Sequence, residues 1–176
     1  KAQDTRILLA ELAATFYGHP AKRMKLIGVT GTNGKTTTTT LIKSVLEFSG
    51  KSVGLIGTNA NMINERVLES EHTTPDSLEL QELLLNMADE GVEYVVMEVS
   101  SHSLDLHRVH GIHFEVAIFT NLTQDHLDFH GTMENYLNAK KKLFTMCKTG
   151  VVNVDDAVGK EIATSDCCKC LTYSID

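Results

Sequence analysis

The sequence predicts a three-layer α/β domain with a mainly parallel sheet. Short apolar runs alternate along the chain with segments of helical periodicity, which is the pattern of strands joined by crossover helices. The run over 94–99 is almost continuously apolar, as expected of a parallel strand buried on both faces. A glycine-bearing loop lies between the first strand and the helix that follows it. Because ligands of such sheets bind beyond the carboxyl ends of the strands, functional residues are expected there.

Periodicity, caps and breakers place the elements in order. The predicted strands cover 25–30, 52–56, 94–99, 116–120 and 151–154, and the predicted helices cover 7–17, 35–48, 75–90 and 133–144. Thr74 is the expected N-cap of the third helix, with Pro75 at its first position, and Thr132 is the expected N-cap of the fourth. Residues 58–72 are polar and are expected to be irregular.

Bulk composition limits the classes of protein to consider. The chain has 176 residues, 42% hydrophobic and 22% charged, which is ordinary for one globular domain. A net charge of −7 gives no indication of a nucleic-acid partner or an anionic membrane surface. No apolar run is long enough to span a bilayer, so membrane insertion is not expected. The first residues (KAQD) do not resemble a secretion signal and lack Met, which indicates an excised fragment or a processed product.

Cysteine and histidine are clustered, but neither cluster has the spacing of a zinc site. Cys167 and Cys170 form a CxxC, yet no second ligand pair follows. Cysteines 167, 168 and 170 are interpreted as a sign of a reducing cytosol, with a metal or redox role as the less favoured alternative. Six of the eight histidines lie between His102 and His130 without an HExxH motif. One or two of them are expected to lie near phosphate or metal.

The segment 28–37 (GVTGTNGKTT) has the form of a phosphate-binding loop. Its glycines let backbone N–H groups approach phosphate oxygens, and the helix N-terminus adds free donors and partial positive charge. Lys35 can reach the terminal phosphates, and the Thr36 hydroxyl can ligate Mg²⁺. The match is not strict, because Val29 stands where the usual pattern has its first glycine. The residues predicted to hold the phosphates are Gly31, Thr32, Asn33, Gly34, Lys35, Thr36 and Thr37.

Four further side chains are candidates for the same edge of the sheet. Glu98 lies at the end of a buried strand, where a carboxylate suits Mg²⁺; an ion pair with a nearby Lys or Arg is the alternative. Thr73 and Thr74 precede a predicted helix N-terminus, which favours either anion binding or a simple cap. Arg108 offers a bidentate fork to a carboxylate or phosphate, and a surface ion pair is equally compatible with the local sequence.

Three consecutive lysines, 140–142, lie on the last predicted helix. A charge run usually marks a solvated face. Three consecutive helical residues nevertheless span about 200° of the helical wheel, so one of them must lean toward the sheet. Lys140, which follows Ala139 and lies four residues before Phe144, is the candidate.

Taken together, these segments resemble the central ATP-binding domain of the Mur ligases, and among them the MurE type. The resemblance covers nearly the whole chain. The glycine loop alone fits folylpolyglutamate synthetases equally well, whereas the contexts of 73–75 and 100–102 favour the MurE type. The segments that carry the resemblance are 31–37 (GTNGKTT), 72–75 (HTTP), 97–102 (MEVSSH), 121–128 (NLTQDHLD), 139–140 (AK) and 152–156 (VNVDD).

The resemblance implies a P-loop NTPase-like fold and an ATP- and Mg²⁺-dependent amide-bond ligase of peptidoglycan precursor synthesis in the cytoplasm. The implied substrates are UDP-MurNAc-L-Ala-D-Glu, activated as an acyl phosphate, and an amino acid, diaminopimelate or lysine. A monomer is expected. In the implied three-domain organisation, residues 1–24 are a connecting helix from an N-terminal domain and residues 25–176 are the central domain. A C-terminal ligase domain is expected to be missing from this chain, so the isolated chain is expected to be inactive.

The resemblance also implies individual roles. Thr36 and Glu98 would hold one Mg²⁺, while Glu98, His126 and a carbamylated Lys140 would hold a second. The implied catalytic residues are Lys35, Glu98, His126 and Lys140. The implied contacts to the muramoyl dipeptide are Thr73, Thr74, Ser100 and Arg108, and Asn153 would contact the adenine.

Two other functions compete with this interpretation. A P-loop kinase or GTPase would also use the glycine loop, but a GTPase needs an Asn-Lys-x-Asp segment for guanine, and the sequence has none. The second alternative is a nucleotide-binding module without turnover of its own.

Overall fold

The computed structural model describes residues 4–175, and the first three residues of the predicted connecting segment lie outside that range. The strands are β1 Lys25–Thr30, β2 Val53–Ile56, β3 Asn61–Ile63, β4 Arg66–Leu68, β5 Tyr94–Glu98, β6 Phe114–Phe119, β7 Cys147–Asn153 and β8 Lys169–Tyr173. The helices are α1 Thr5–Phe16, α2 Lys35–Phe48, α3 Ser77–Asp89, α4 Ser101–Asp105, α5 Leu127–His130, α6 Met133–Lys141 and α7 Ala157–Ala163. Two 3₁₀ helices cover Pro20–Arg23 and Lys142–Thr145.

All eight strands form one sheet in the order β4-β3-β2-β5-β1-β6-β7-β8. The six strands from β2 to β8 in that order pair in parallel, whereas β3 pairs antiparallel with both β2 and β4. The predicted mainly parallel sheet is therefore confirmed. Because β1 lies between β5 and β6, the carboxyl ends of these three strands meet at one edge. That edge carries the glycine loop, Glu98 and the segment after β6.

Helices cover the sheet on two faces. Val96 packs in a small cluster with Ile42 and Leu46 of α2. Its neighbours Val95 and Met97 belong to the main core, which includes Leu80, Leu84 and Met87 of α3. Successive strand side chains point to opposite faces, so α2 and α3 lie on opposite sides of the sheet. The three-layer prediction is confirmed, and no helix among residues 4–175 is long and apolar enough to cross a membrane.

Several local predictions were wrong. Residues 58–72, expected to be irregular, contain the β3–β4 hairpin. The third helix begins at Ser77, where the carboxylate of Asp76 accepts hydrogen bonds from the N–H groups of Leu78 and Glu79. Thr74 is not its cap, because the Thr74 hydroxyl donates to the backbone oxygen of Glu98 at 2.9 Å instead. The short helices α4, α5 and α7 and strand β8 were not predicted.

Candidate functional site

The glycine loop has a conformation that only glycine tolerates at two positions. Gly31 has φ +152°, and a Cβ there would overlap the hydroxyl of Thr120. Gly34 has φ +85° and forms the N-cap of α2. The first turn of α2 therefore opens directly from the loop, with N–H groups that have no acceptor within the helix. This is the arrangement that an anion-binding loop needs.

The segment after β6 holds the loop in place. The N–H of Thr32 donates to the backbone oxygen of Asn121 at 2.9 Å, and the N–H of Asn33 donates to its side-chain oxygen at 3.0 Å. Thr120 donates its hydroxyl to the backbone oxygen of Asn33 at 2.7 Å. Thr123 donates its N–H to the hydroxyl of Thr32 at 3.0 Å. Part of this segment, residues 121–128, carried the family resemblance in the sequence, but no sequence pattern indicated that it would support the loop.

Two lysines from different helices meet at one carbonyl of the loop. Lys35 donates to the backbone oxygens of Gly31 and Thr32, both at 2.9 Å, and Lys140 donates to the oxygen of Gly31 at 2.9 Å. Lys140 is 1% exposed, and its Nζ lies 4.5 Å from the ring centre of Tyr136. Burial, with the neighbouring charge of Lys35, lowers the pKa of Lys140 to about 7. Burial also lowers the pKa of Lys35, and the charges of Glu98 and Asp125 oppose that shift.

The helical spacing correctly singled out Lys140 within the lysine run. Lys141 forms an ion pair with Glu161, and Lys142 forms one with Asp105 at 2.8 Å. Both pairs are partly exposed, which is the ordinary state of a surface charge. Lys140 alone of the three turns inward to the loop.

Glu98 is a buried carboxylate, 1% exposed, at the rim of a cavity of about 310 Å³ that Thr36 also lines. The backbone N–H of Thr58 donates to its Oε1 at 3.0 Å, and the hydroxyl of Thr58 donates to its Oε2 at 3.1 Å. None of the ion pairs formed within residues 4–175 includes Glu98, so the expected alternative of a strand-end ion pair is not observed. Each carboxylate oxygen keeps a free lone pair. The oxygen donors around this cavity fit Mg²⁺, which prefers hard ligands.

A second cavity, of about 340 Å³, is lined by Lys35. It brings together all four of the predicted substrate contacts and two of the predicted catalytic residues. Its lining includes Lys35, Thr73, Thr74, Ser100, Arg108 and His126.

The polar groups of this cavity are partly used by the fold. Arg108 donates from Nη1 to the backbone oxygen of Thr74 at 2.9 Å. The hydroxyl of Thr74 is buried and accepts from the N–H of Ser100 at 3.1 Å. Ser100 caps α4 through the N–H of Ser103. Thr73 and the remaining donors of Arg108 are thus the groups best placed to meet a ligand.

The clustered histidines differ in how far they are exposed to solvent. His126, with φ +53°, is partly exposed, and its ring centre lies 4.9 Å from that of His102. His130 is buried, and its Nε2 lies 2.9 Å from the hydroxyl of Ser101. Burial is the main cause that lowers the pKa of both His102 and His130. Among residues 4–175, no three His, Cys, Asp or Glu side chains group closely enough to hold a metal ion by themselves.

Asn153 lies at the end of β7, beside the segment that supports the glycine loop. Its Nδ2 donates to the backbone oxygen of Thr120 at 2.9 Å, and its Oδ1 accepts from the N–H of Asp155 at 3.0 Å. The neighbouring Asp156 caps α7 and accepts from the N–H of Leu122 at 2.8 Å. The predicted adenine contact is therefore a well-ordered group joined to the loop through Thr120.

The cysteines lie away from this edge. Cys147, Cys168 and Cys170 are free thiols, and the Sγ atoms of the last two are 3.8 Å apart. Burial raises the pKa of Cys147 to about 12 and that of Cys170 to about 11. The thiols of Cys147 and Cys170 therefore stay protonated at neutral pH, which agrees with a packing role rather than a reactive one.

The fold and the loop define an α/β protein of the phosphate-binding-loop class. The chain belongs to the family described as the Mur ligase middle domain, whose model matches residues 29–176. It is 52% identical, over its whole length, to a UDP-N-acetylmuramoyl-L-alanyl-D-glutamate–2,6-diaminopimelate ligase of Clostridium botulinum, of which it covers 36%. It is 53% identical over 174 residues to the ligase of the same name from Caldanaerobacter subterraneus, covering 98% of this chain and 36% of that protein.

The solved structures agree with this family. A structure of a UDP-N-acetylmuramoyl-L-alanyl-D-glutamate–2,6-diaminopimelate ligase superimposes with a TM-score of 0.83 at 33% identity, covering 96% of this chain and 37% of that one. The E. coli FolC structure superimposes with a TM-score of 0.71 at 19% identity, covering 93% of this chain and 46% of that one. The second likeness concerns the fold alone. The chain spans about a third of the length of the curated relatives it matches.

Proposed function

We propose that this chain forms the nucleotide-binding unit of an ATP-dependent ligase that joins diaminopimelate to UDP-MurNAc-L-Ala-D-Glu. The observation that carries the proposal is the position of Lys35, which lies between the phosphate loop and a cavity lined by the candidate substrate residues. The names of relatives at 52% and 53% identity support diaminopimelate over lysine as the added amino acid. The unit comprises residues 25–176, with the preceding helix as the connection to an N-terminal domain.

The residues fit ATP and Mg²⁺ in the following way. The loop over 31–37 would hold the phosphates, and Asn153 would contact the adenine. Thr36 and Glu98 would hold one Mg²⁺, and Glu98, His126 and the carbamate of Lys140 would hold a second. Bound Mg²⁺ supplies charge neutralisation for the phosphoryl group that is transferred.

The proposed reaction has two successive steps, and Lys35 acts in the first. In the first, a carboxylate oxygen of the dipeptide attacks the γ-phosphorus of ATP, and ADP leaves. Lys35 stabilises the negative charge that develops on the phosphoryl oxygens, because it is a cation held at the loop. In the second, the amine of diaminopimelate attacks the acyl carbon, phosphate leaves, and the amide forms with loss of one proton from the nitrogen.

The substrate side is formed by the second cavity. Arg108 is the only arginine in that lining and would pair with an anionic group of the dipeptide. Thr73 and Ser100 would contact its polar groups, with Thr74 fixing their positions. We further propose that the protein acts as a cytoplasmic monomer, and that this unit alone, without flanking domains, binds nucleotide but does not turn over.

The test is a ligation assay on the protein that carries this chain. It is incubated with ATP, Mg²⁺, UDP-MurNAc-L-Ala-D-Glu and diaminopimelate, and the mass of the product is measured by mass spectrometry. We expect a product heavier by one diaminopimelate residue, and ADP release that requires both substrates. Lys35→Ala should abolish product, whereas Lys51→Ala, which removes a surface lysine paired with Glu93, should not. ADP release without any amide product would contradict the proposal.

A further inference from the structure

The carboxylate of Glu98 is held by Thr58, a residue that none of the sequence motifs includes. Thr58 follows β2, and it bonds both oxygens of Glu98, through its N–H to Oε1 and through its hydroxyl to Oε2. Gly57 leaves the space for this approach, because a Cβ there would overlap Oε1. A carboxylate fixed at both oxygens has one orientation, while each oxygen retains a lone pair for a further ligand.

The same hydroxyl reaches the substrate side. Oγ1 of Thr58 lies 2.9 Å from Oγ1 of Thr73, which lines the second cavity. The hydroxyl of Thr58 has one proton, and a carboxylate can only accept. If Thr58 donates to Glu98, it must accept from Thr73. The hydroxyl of Thr73 therefore donates to the hydroxyl of Thr58, which in turn donates to the carboxylate of Glu98.

We infer that Thr58 is a positioning residue that joins the metal side of the site to the substrate side. It aims Glu98 into the cavity shared with Thr36, and its hydroxyl accepts a hydrogen bond from the hydroxyl of Thr73. The hydroxyl of Thr73 then presents only lone pairs to the second cavity. The group that meets Thr73 is accordingly a donor, an N–H or O–H of the ligand, and a carboxylate or phosphate oxygen of the ligand is directed to Arg108 instead. This inference rests on the proposed function, because it assigns Glu98 to Mg²⁺.

Nucleotide binding tests the metal half of the inference without requiring turnover. The dissociation constant of a non-hydrolysable ATP analogue is measured by calorimetry across a range of Mg²⁺ concentrations. Thr58→Val removes the hydroxyl at nearly constant volume, and Thr58→Ser keeps it. Thr15→Val is the matched control, since the hydroxyl of Thr15 bonds only the backbone oxygen of Glu11 within α1.

We expect Thr58→Val to raise the half-saturating Mg²⁺ concentration about tenfold, which is the scale of one hydrogen bond to a charged group. Affinity for the analogue without Mg²⁺ should stay unchanged, and Thr58→Ser and Thr15→Val should behave as the wild type. In a Glu98→Gln background, Thr58→Val should add nothing, because both substitutions act on the same ligand. A purely structural role would instead lower affinity at every Mg²⁺ concentration.

Two different results would overturn the inference, and they distinguish a wrong role for Thr58 from a wrong assignment of Glu98. An unchanged Mg²⁺ requirement in Thr58→Val, with a normal Mg²⁺ response in the wild type, refutes the role of Thr58 alone. If the wild type shows no Mg²⁺ response at all, the assignment of Glu98 fails and the proposed function fails with it. If Thr58→Val does not fold, the Thr58→Ser variant provides the test. Because this variant keeps the hydroxyl, a Mg²⁺ requirement raised as far as that of Glu98→Gln would contradict a role for the hydroxyl.

Discussion

Lys140 should form a carbamate with CO₂, and removal of this lysine should remove the carbamate. The neutral amine attacks the carbon of CO₂, a nitrogen–carbon bond forms, and the nitrogen loses one proton. A cation is thereby replaced by an anion with two oxygen ligands. The remaining N–H can still donate to the backbone oxygen of Gly31, which accepts from Lys140 at 2.9 Å. The side chain is 1% exposed, so the product is shielded from water.

The magnitude follows from the fraction of neutral amine. With a pKa of about 7, about three-quarters of Lys140 is neutral at pH 7.5. An ordinary lysine, with a pKa near 10.4, is about 0.1% neutral at that pH. Lys140 therefore has about three orders of magnitude more reactive amine than a lysine with the reference pKa. The sign also follows: as pH falls below about 6, the amine is protonated and the carbamate should be lost.

The assay is ¹³C NMR of the protein in ¹³C-labelled bicarbonate at several pH values. One carbamate resonance is expected at pH 7.5 in the wild type. It should disappear in Lys140→Met and persist in Lys142→Met, the matched control from the same lysine run. A resonance that survives Lys140→Met would refute the reasoning, since another amine would then be the site. In the complete enzyme, short carboxylic acids should restore part of the activity of Lys140→Ala, whereas rescue by amines alone would show that Lys140 acts as a cation.

Two further substitutions test the site and the loop. Arg108→Ala should raise the KM for the UDP-linked dipeptide about tenfold and the KM for ATP much less, because the guanidinium fork of Arg108 suits an anionic substrate. Steady-state kinetics with each substrate varied in turn measures both KM values. An equal rise in both would indicate a role of Arg108 in folding instead. Gly31→Ala should lower the free energy of unfolding in urea by about 2 kcal/mol or more, since strain at positive φ is joined by overlap with Thr120. Gly18→Ala is its control, with φ +72° but open space around the Cβ, and an equal loss in both variants would assign the whole effect to the backbone.

The elements around the glycine loop were predictable because local signals mark their limits. Strand β1 and helix α2 have the bounds that the sequence predicted. Gly34 permits the left-handed turn that starts α2, and Gly50, with φ +82°, follows its end. These are backbone requirements of single residues, so a sequence pattern detects them. The inward position of Lys140 was predictable for a similar reason, because helical geometry requires one of the three lysines to lean inward and the apolar neighbours Ala139 and Phe144 favour Lys140.

Other features depended on contacts between distant parts of the chain. Thr74 has the residue type of an N-cap, but its hydroxyl bonds the backbone of Glu98, 24 residues away, and Asp76 caps the helix instead. The contact between Thr58 and Glu98 spans 40 residues, and no local pattern announces it. Strands β3 and β4 have three residues each and gain their stability by pairing next to β2. Such features become visible only once the sheet is assembled.

Lys35 and Lys140 meet at one carbonyl and place positive charge locally in a chain of net charge −7, which the proposed polyphosphate site would require. Lys140 is buried and Lys35 is partly buried, and when both are charged their repulsion adds to the cost of burying Lys140. The fold holds Lys140 inward with a tyrosine ring and the Gly31 oxygen, so the cost is met by lowering its pKa rather than by moving it to the surface. Carbamylation of Lys140 would convert the repulsion into attraction and leave Lys35 as the cation of the loop. The loop would then keep its positive charge for phosphate, while a new anion on its inner side would be available to Mg²⁺.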